Sequence, residues 1–194
     1  MKRALIALAL AAALPLSAQA AASGPTYSYV EGSYQSADFL DETFDGYALA
    51  GSYGFNEHWY GSVTYKNVDN GDFDIGLDET TLNLGWHTAL SDRADFLAEL
   101  GYVDLGVDLG EFGDESENGY RVAAGFRGLF TPKFEGSIKG RYTDLGSEGG
   151  DGFGVGVGAV FHINPTWGIT ANYDHDDFDG EGMDTWGLGL RASF

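Results

Sequence analysis

The chain has 194 residues, 43% of them hydrophobic, with 30 glycines, 11 tyrosines and 4 prolines, which suits one domain with a sizeable core and leaves no room for intrinsic disorder. Thirty acidic residues against ten basic ones give a formal charge of -20, which argues against nucleic acid as a partner, because phosphate backbones need positive surface. There is no cysteine, so disulfides, thiol chemistry and cysteine-based zinc sites are excluded.

Residues 1–20, "MKRALIALALAAALPLSAQA", differ in kind from the rest. Lys2 and Arg3 open a run that is apolar from Ala4 to Leu16 and ends in Ala18-Gln19-Ala20. A basic start, a short apolar stretch and small residues before a cut mark a secretory leader, with cleavage expected after Ala20 and a mature chain of 21–194. Losing Lys2 and Arg3 takes the mature charge from -20 to -22. No later segment approaches the roughly 20 apolar residues that a transmembrane helix needs.

Beyond the leader, period-two alternation predicts strands at 26–35, 44–55, 58–68, 79–90, 95–105, 118–130, 134–144, 152–163, 167–175 and 184–194. The fold class expected is therefore all-β, a ten-stranded antiparallel transmembrane β-barrel, with eight strands as the alternative count. Connections alternate in length. "NEH" (56–58), "SDRAD" (91–95), "TPK" (131–133) and "NPT" (164–166) are short, whereas 36–43, 69–78, 106–117, 145–151 and 176–183 read as long loops rich in Gly, Asp and Glu. This alternation gathers the short turns, and both chain ends, at one end of the sheet.

Parity separates two faces. Tyr47, Leu49, Tyr53 and Phe55 share one phase, as do Leu82, Leu84, Trp86 and Leu90, and Trp186, Leu188, Leu190 and Phe194. Glu31, Lys66, Glu99, Arg121, Arg127, Glu135, Lys139, Arg141 and Arg191 all take the opposite phase, among small residues such as Ala48, Ala50, Ser52, Gly85, Gly125, Gly187 and Gly189. Bulk on one face, with charges among glycines on the other, suits a lipid-facing wall around a tight polar lumen. An Arg or Lys on the lipid side at midplane would cost about 2–4 kcal/mol.

Aromatic residues mark two bands. Phe55, Trp59, Phe96, Phe130, Phe134, Trp167 and Phe194 fall at the short-turn end, and Tyr34, Tyr47, Tyr65, Tyr102, Tyr120, Tyr142, Phe153, Tyr173 and Trp186 at the other. Aromatic rings settle at both membrane interfaces, where one edge can be wet. The spacing of six to ten residues on tilted strands spans roughly 15–25 Å, near the apolar height of an outer-membrane barrel.

The leader, the ten amphipathic strands and the terminal Phe194 resemble bacterial outer-membrane barrels of the OmpA/OmpX type. More narrowly, "MKRALIALAL", "TYSYVEGSY" (26–34), "FTPKFEGS" (130–137), "NPTWGITANYD" (164–174) and the last strand are similar to small barrel proteins of xanthomonads linked to activation of plant immunity. The resemblance implies localisation in the bacterial outer membrane, passage through the periplasm and insertion by the barrel assembly machinery. That machinery would read Trp186, Leu188, Leu190 and Phe194 as its assembly signal. The chain departs from OmpA in ending with the barrel, where OmpA carries a peptidoglycan-binding domain, and from OmpX in its strand count.

The segments 36–45, 68–79, 104–118, 144–151 and 174–184 hold 24 of the 30 acidic residues and no Lys or Arg. An acidic outer rim is expected there, able to keep loops solvated or to gather divalent cations against lipopolysaccharide. "DNGDFDIGLDE" (69–79) and "DHDDFDGEGMD" (174–184) have the oxygen density calcium prefers without its loop spacing, so no metal site is assigned. In the lumen the sequence places six basic residues against Glu31, Glu99 and Glu135. Such charges must be paired or they are costly. The expectation is a salt-bridged interior and a structural or surface-interaction role, the alternative being a narrow porin-like channel for small solutes or ions. His175 is the one candidate base at the outer rim, in a flexible acidic setting with no defined pocket. No cofactor and no catalysis are expected.

Overall fold

The computed structural model describes residues 24–40, 42–71, 75–110, 113–178 and 180–194; the leader and the cleavage position Ala20 lie outside the described residues. Ten strands form: β1 (Tyr29–Phe39), β2 (Glu42–Gly54), β3 (Trp59–Asn70), β4 (Ile75–Ser91), β5 (Ala94–Asp108), β6 (Asp114–Thr131), β7 (Phe134–Asp144), β8 (Asp151–His162), β9 (Trp167–Phe178) and β10 (Glu181–Ser193). Each pairs antiparallel with its neighbours in sequence, and β1 pairs β10 with Glu31 opposite Arg191, so the barrel closes and leaves no strand edge. A single helical turn, α1 (Gly146–Gly149), sits in the β7–β8 connection between Gly146 and Gly150, both at positive φ.

The four short turns owe their tightness to side-chain acceptors. Asn56 Oδ1 receives the amides of His58 and Trp59, Ser91 Oγ that of Arg93, Thr131 Oγ1 those of Lys133 and Phe134, and Asn164 Oδ1 those of Thr166 and Trp167. Asn and Thr substitute in this way for a missing backbone partner. Outward-phase residues such as Leu82, Leu84, Leu100, Phe126, Ile138, Val157 and Leu188 are exposed along the wall, a continuous apolar belt of the kind that faces lipid rather than water.

The structure corrects the segments read as long outer loops. Most of 36–39, 42–43, 69–70, 75–78, 106–108, 114–117, 176–178 and 181–183 is strand, and the outer connections shrink to a few residues. The reason lies on the inward phase. Ala37, Phe44 and Val68 are buried there, with Phe39, Ile75, Leu77 and Met183 packed against them. On the outward phase at the same height, Asp38, Thr43, Asp45 and Asp69 are exposed. The strands thus continue into an outer collar with exposed acids outside and its own small apolar core inside.

Two aromatic assignments change. Tyr65, expected in the outer band, is buried, its ring 6.1 Å from that of Tyr47. Phe194, expected to complete the inner lipid-facing band, is only 6% exposed, whereas Trp186, Leu188 and Leu190 are 58%, 62% and 56% exposed. β10 ends at Ser193, and the Phe194 amide donates to the Ser28 carbonyl at 3.0 Å. The last residue is therefore tied to the segment before β1 at the closing seam instead of extending the lipid-facing row.

Candidate functional site

The lumen is the candidate site: a cavity of about 330 Å³ whose wall includes all nine charged residues read onto the inward phase, from Glu31 to Arg191. They form three layers. At the short-turn end Arg127 Nε donates to Glu135 Oε1 at 2.6 Å and Arg191 Nε to Glu31 Oε2 at 2.7 Å. Arg191 also approaches Glu135 at 3.6 Å, joining β10 to β7 across the lumen. His162 lies 3.5 Å from Glu135, and Thr170 donates to Glu31 at 3.2 Å. In the middle layer Glu99 accepts from Tyr60 Oη at 2.7 Å and from Lys139 Nζ at 3.1 Å.

The outer layer uses paired guanidinium forks. Arg121 holds both oxygens of Glu79 at 2.9 and 3.2 Å and donates its Nε to Thr143 at 2.8 Å. Arg141 spreads across two strand positions, reaching Asp176 through Nε at 2.7 Å and Nη2 at 2.5 Å, and Asp174 through Nη1 at 2.6 Å. Two-pronged Arg–carboxylate contacts fix orientation as well as charge. Lys66 stands opposite Glu79 in the β3–β4 register and lines the same cavity.

The glycines among these charges now have a steric role. Several pairs reach over an intervening strand: Tyr60 on β3 to Glu99 on β5, Lys139 on β7 to Glu99, Arg141 on β7 to Asp174 and Asp176 on β9. The strand passed over carries glycine at each crossing. A Cβ at Gly85 would lie 2.2 Å from the Tyr60 ring, at Gly125 2.8 Å from Lys139 Cγ, and at Gly154 2.8 Å from Arg141 Nε. Small residues on the charged phase are what allow long side chains to lie flat and find distant partners.

The sequence reading missed part of this network. Glu79, Asp174 and Asp176 were counted with the acidic outer rim, yet all three turn inward onto Arg121 and Arg141. The six basic residues on the cavity wall therefore meet six acids there, Glu31, Glu79, Glu99, Glu135, Asp174 and Asp176, in place of the three expected. Parity carried the signal: Glu79 shares the phase of Asn83 and Gly85, and Asp174 and Asp176 that of Asn172. The strand ends drawn at 79 and 175 hid it. Tyr27, Tyr29 and Tyr60 are further wall residues that the aromatic bands did not include.

The histidines divide by position. His87 is inside, its Nδ1 3.1 Å from Asp95 Oδ2, while His175 bonds Asp184 at 2.8 Å on the half-exposed outer face, away from the cavity. Among the described residues no three His, Asp or Glu converge closely enough to hold a metal ion. What the arrangement does chemically is neutralise and brace: every Arg on the wall has at least one carboxylate partner, so the lumen is cross-linked by charge.

A family model for the outer membrane protein β-barrel domain matches residues 6–152. No curated protein matches the chain. Among solved structures it is similar to the NanC porin (12% identity, covering 86% of this chain and 100% of that one, TM-score 0.50). It is also similar to Ail, the attachment invasion locus protein of Yersinia pestis (15%, 86% and 95%, 0.40), and to the N-terminal β-barrel domain of Pseudomonas aeruginosa OprF (11%, 86% and 98%, 0.44). At such identities the likeness concerns the fold alone. The chain belongs to the outer membrane protein β-barrel domain family, and its place is the bacterial outer membrane.

Proposed function

We propose that this protein is a braced, closed barrel that holds an acidic collar at the cell surface, with a structural or surface-interaction role. The observation that carries the reading is the balance of the lumen: six basic and six acidic wall residues, tied in three layers that reach across strands. Moving an ion through would mean separating buried charge pairs, which costs several kcal/mol per unpaired group. The apolar cluster around Phe44 and Val68 adds a second obstacle at the outer end. Single-channel recording on refolded barrel in a planar bilayer should give a flat baseline. Stable conductance steps would overturn the reading in favour of a narrow porin-like passage, the reading that the 330 Å³ cavity supports.

Lipopolysaccharide at the outer leaflet and the barrel assembly machinery are the partners this role implies, with divalent cations able to bridge the collar's carboxylates to anionic headgroups. No catalysis and no nucleic acid enter this reading. The likeness to xanthomonad barrels linked to plant immunity adds recognition by a host as a finer proposal, resting on the quoted segments at 26–34, 130–137 and 164–174.

A further inference from the structure

The segment before β1 does not simply lead into the sheet. Tyr27 precedes the first strand residue, Tyr29, yet it is 6% exposed and lies on the wall of the lumen. Its ring stacks on His87 with centroids 3.8 Å apart and planes 19° off parallel, and stands 4.7 Å from the ring of Tyr60. Its hydroxyl donates to Asp95 Oδ2 at 3.0 Å, the same oxygen that faces His87 Nδ1. The Arg127 guanidinium sits 5.0 Å from the Tyr27 centroid and 5.7 Å from that of Tyr29, and its buried Nη2 has no hydrogen-bond partner in the structure. Aromatic faces provide a cation with the contact that a missing acceptor would otherwise supply.

The backbone around Tyr27 is held differently from the barrel. Its carbonyl accepts from the Ser52 hydroxyl at 2.7 Å, and Ser28 Oγ accepts the Gly54 amide at 3.2 Å. With the one backbone bond from the Phe194 amide to the Ser28 carbonyl, these are isolated contacts, not a strand ladder. A segment held mainly by one inserted ring and a few such bonds opens at much lower cost than the strands around it.

We propose that residues 24–28 form a latch that closes the short-turn mouth of the lumen by lodging Tyr27 among His87, Tyr60 and Arg127. The polar chamber above then opens to the periplasm only when Tyr27 withdraws. This rests on the closed-barrel reading and adds to it which end opens, and by which residue.

The natural chain has no cysteine, so a single introduced thiol reports without background. Ala123 lines the cavity on β6 between Arg121 and Arg127. In mature Ala123→Cys barrel refolded into liposomes, with a small charged methanethiosulfonate present on both faces, labelling should be slow. Adding Tyr27→Ala should accelerate it about tenfold or more, since losing a stacked aromatic contact shifts the open population by that order. Tyr27→Phe, which keeps the ring and loses the Asp95 bond, should stay close to the parent rate. If Tyr27→Ala fails to refold, His87→Ala carries the test by removing the surface on which the ring stacks, again with faster labelling expected. Unchanged labelling in folded Tyr27→Ala or His87→Ala would overturn the latch. So would rapid labelling in the parent, or acceleration by Phe44→Ala at the outer end without any by Tyr27→Ala. A conducting wild-type barrel would sink the closed-barrel reading by itself, leaving the labelling contrast to decide the latch.

Discussion

The wall in the membrane and the collar above it share strands, and on β1 to β4 and β10 their amphipathicity is opposite. Through the bilayer, Leu84, Leu100 and Leu188 face out and Glu99, Arg121 and Lys139 face in. Further out, on β1 to β4, Asp38, Asp45 and Asp69 face out and Phe39, Phe44, Val68 and Leu77 face in. The strand period does not change across this boundary; only the solvent outside does. Lipid rewards apolar residues outside and obliges the lumen to satisfy its charges internally, whereas water rewards the reverse. The point of inversion along β1 and β2 therefore marks the outer membrane surface, and it coincides with Tyr34 and Tyr47.

This comparison can be broken most severely from inside the membrane section. Glu135 is buried and serves Arg127 at 2.6 Å, Arg191 at 3.6 Å and His162 at 3.5 Å. Glu135→Ala leaves the buried Arg127 guanidinium without its carboxylate and should lower unfolding free energy by about 3–5 kcal/mol, read from denaturant titration of barrel folded in bilayers. A smaller loss in this variant would mean that the lumen is wet enough to screen its charges.

The same substitution on the outward face at two heights sharpens the boundary itself. Leu84→Arg, at half the strand's length and lipid-exposed, should cost about 2–4 kcal/mol. Asp69→Arg, on the collar, should change stability by no more than about 0.5 kcal/mol, as exposed surface changes usually do. Equal costs at both positions would place the collar inside the membrane and remove the distinction.

The mildest probe addresses whether the collar has a core. Val68 is 1% exposed, and Val68→Ala should cost about 2 kcal/mol through lost burial and an unfilled gap. Local loss of hydrogen-exchange protection at the outer ends of β2 and β3, with the membrane section unchanged, is the expected signature. A global loss spread through the barrel would show that collar and wall unfold as one unit.

Much of this was legible before any coordinates. Strand count, the phase of nine of the twelve lumenal charges and the two faces follow from alternation, because a side chain's face depends only on its parity along its own strand. Phe194 shows the limit of that rule. Its parity agrees with Leu188 and Leu190, but it lies one residue past the strand end, where the seam with Ser28 and not the pleat sets its surroundings. The loops were misjudged for a related reason: Asp-rich, Gly-rich stretches read as solvated turns when only their outer phase is considered.

By itself the sequence determined the architecture and the sorting of residues into lipid-facing and lumenal sets, since both are local, period-two properties. Tertiary structure alone decided who pairs with whom. Arg141 meets Asp174 and Asp176, 33 and 35 residues away and two strands over, and Arg191 reaches Glu135 across the lumen. Those meetings depend on closure and register, which no single strand encodes. The same holds for Tyr27, whose place inside the barrel exists only because ten strands have curved into a wall around it.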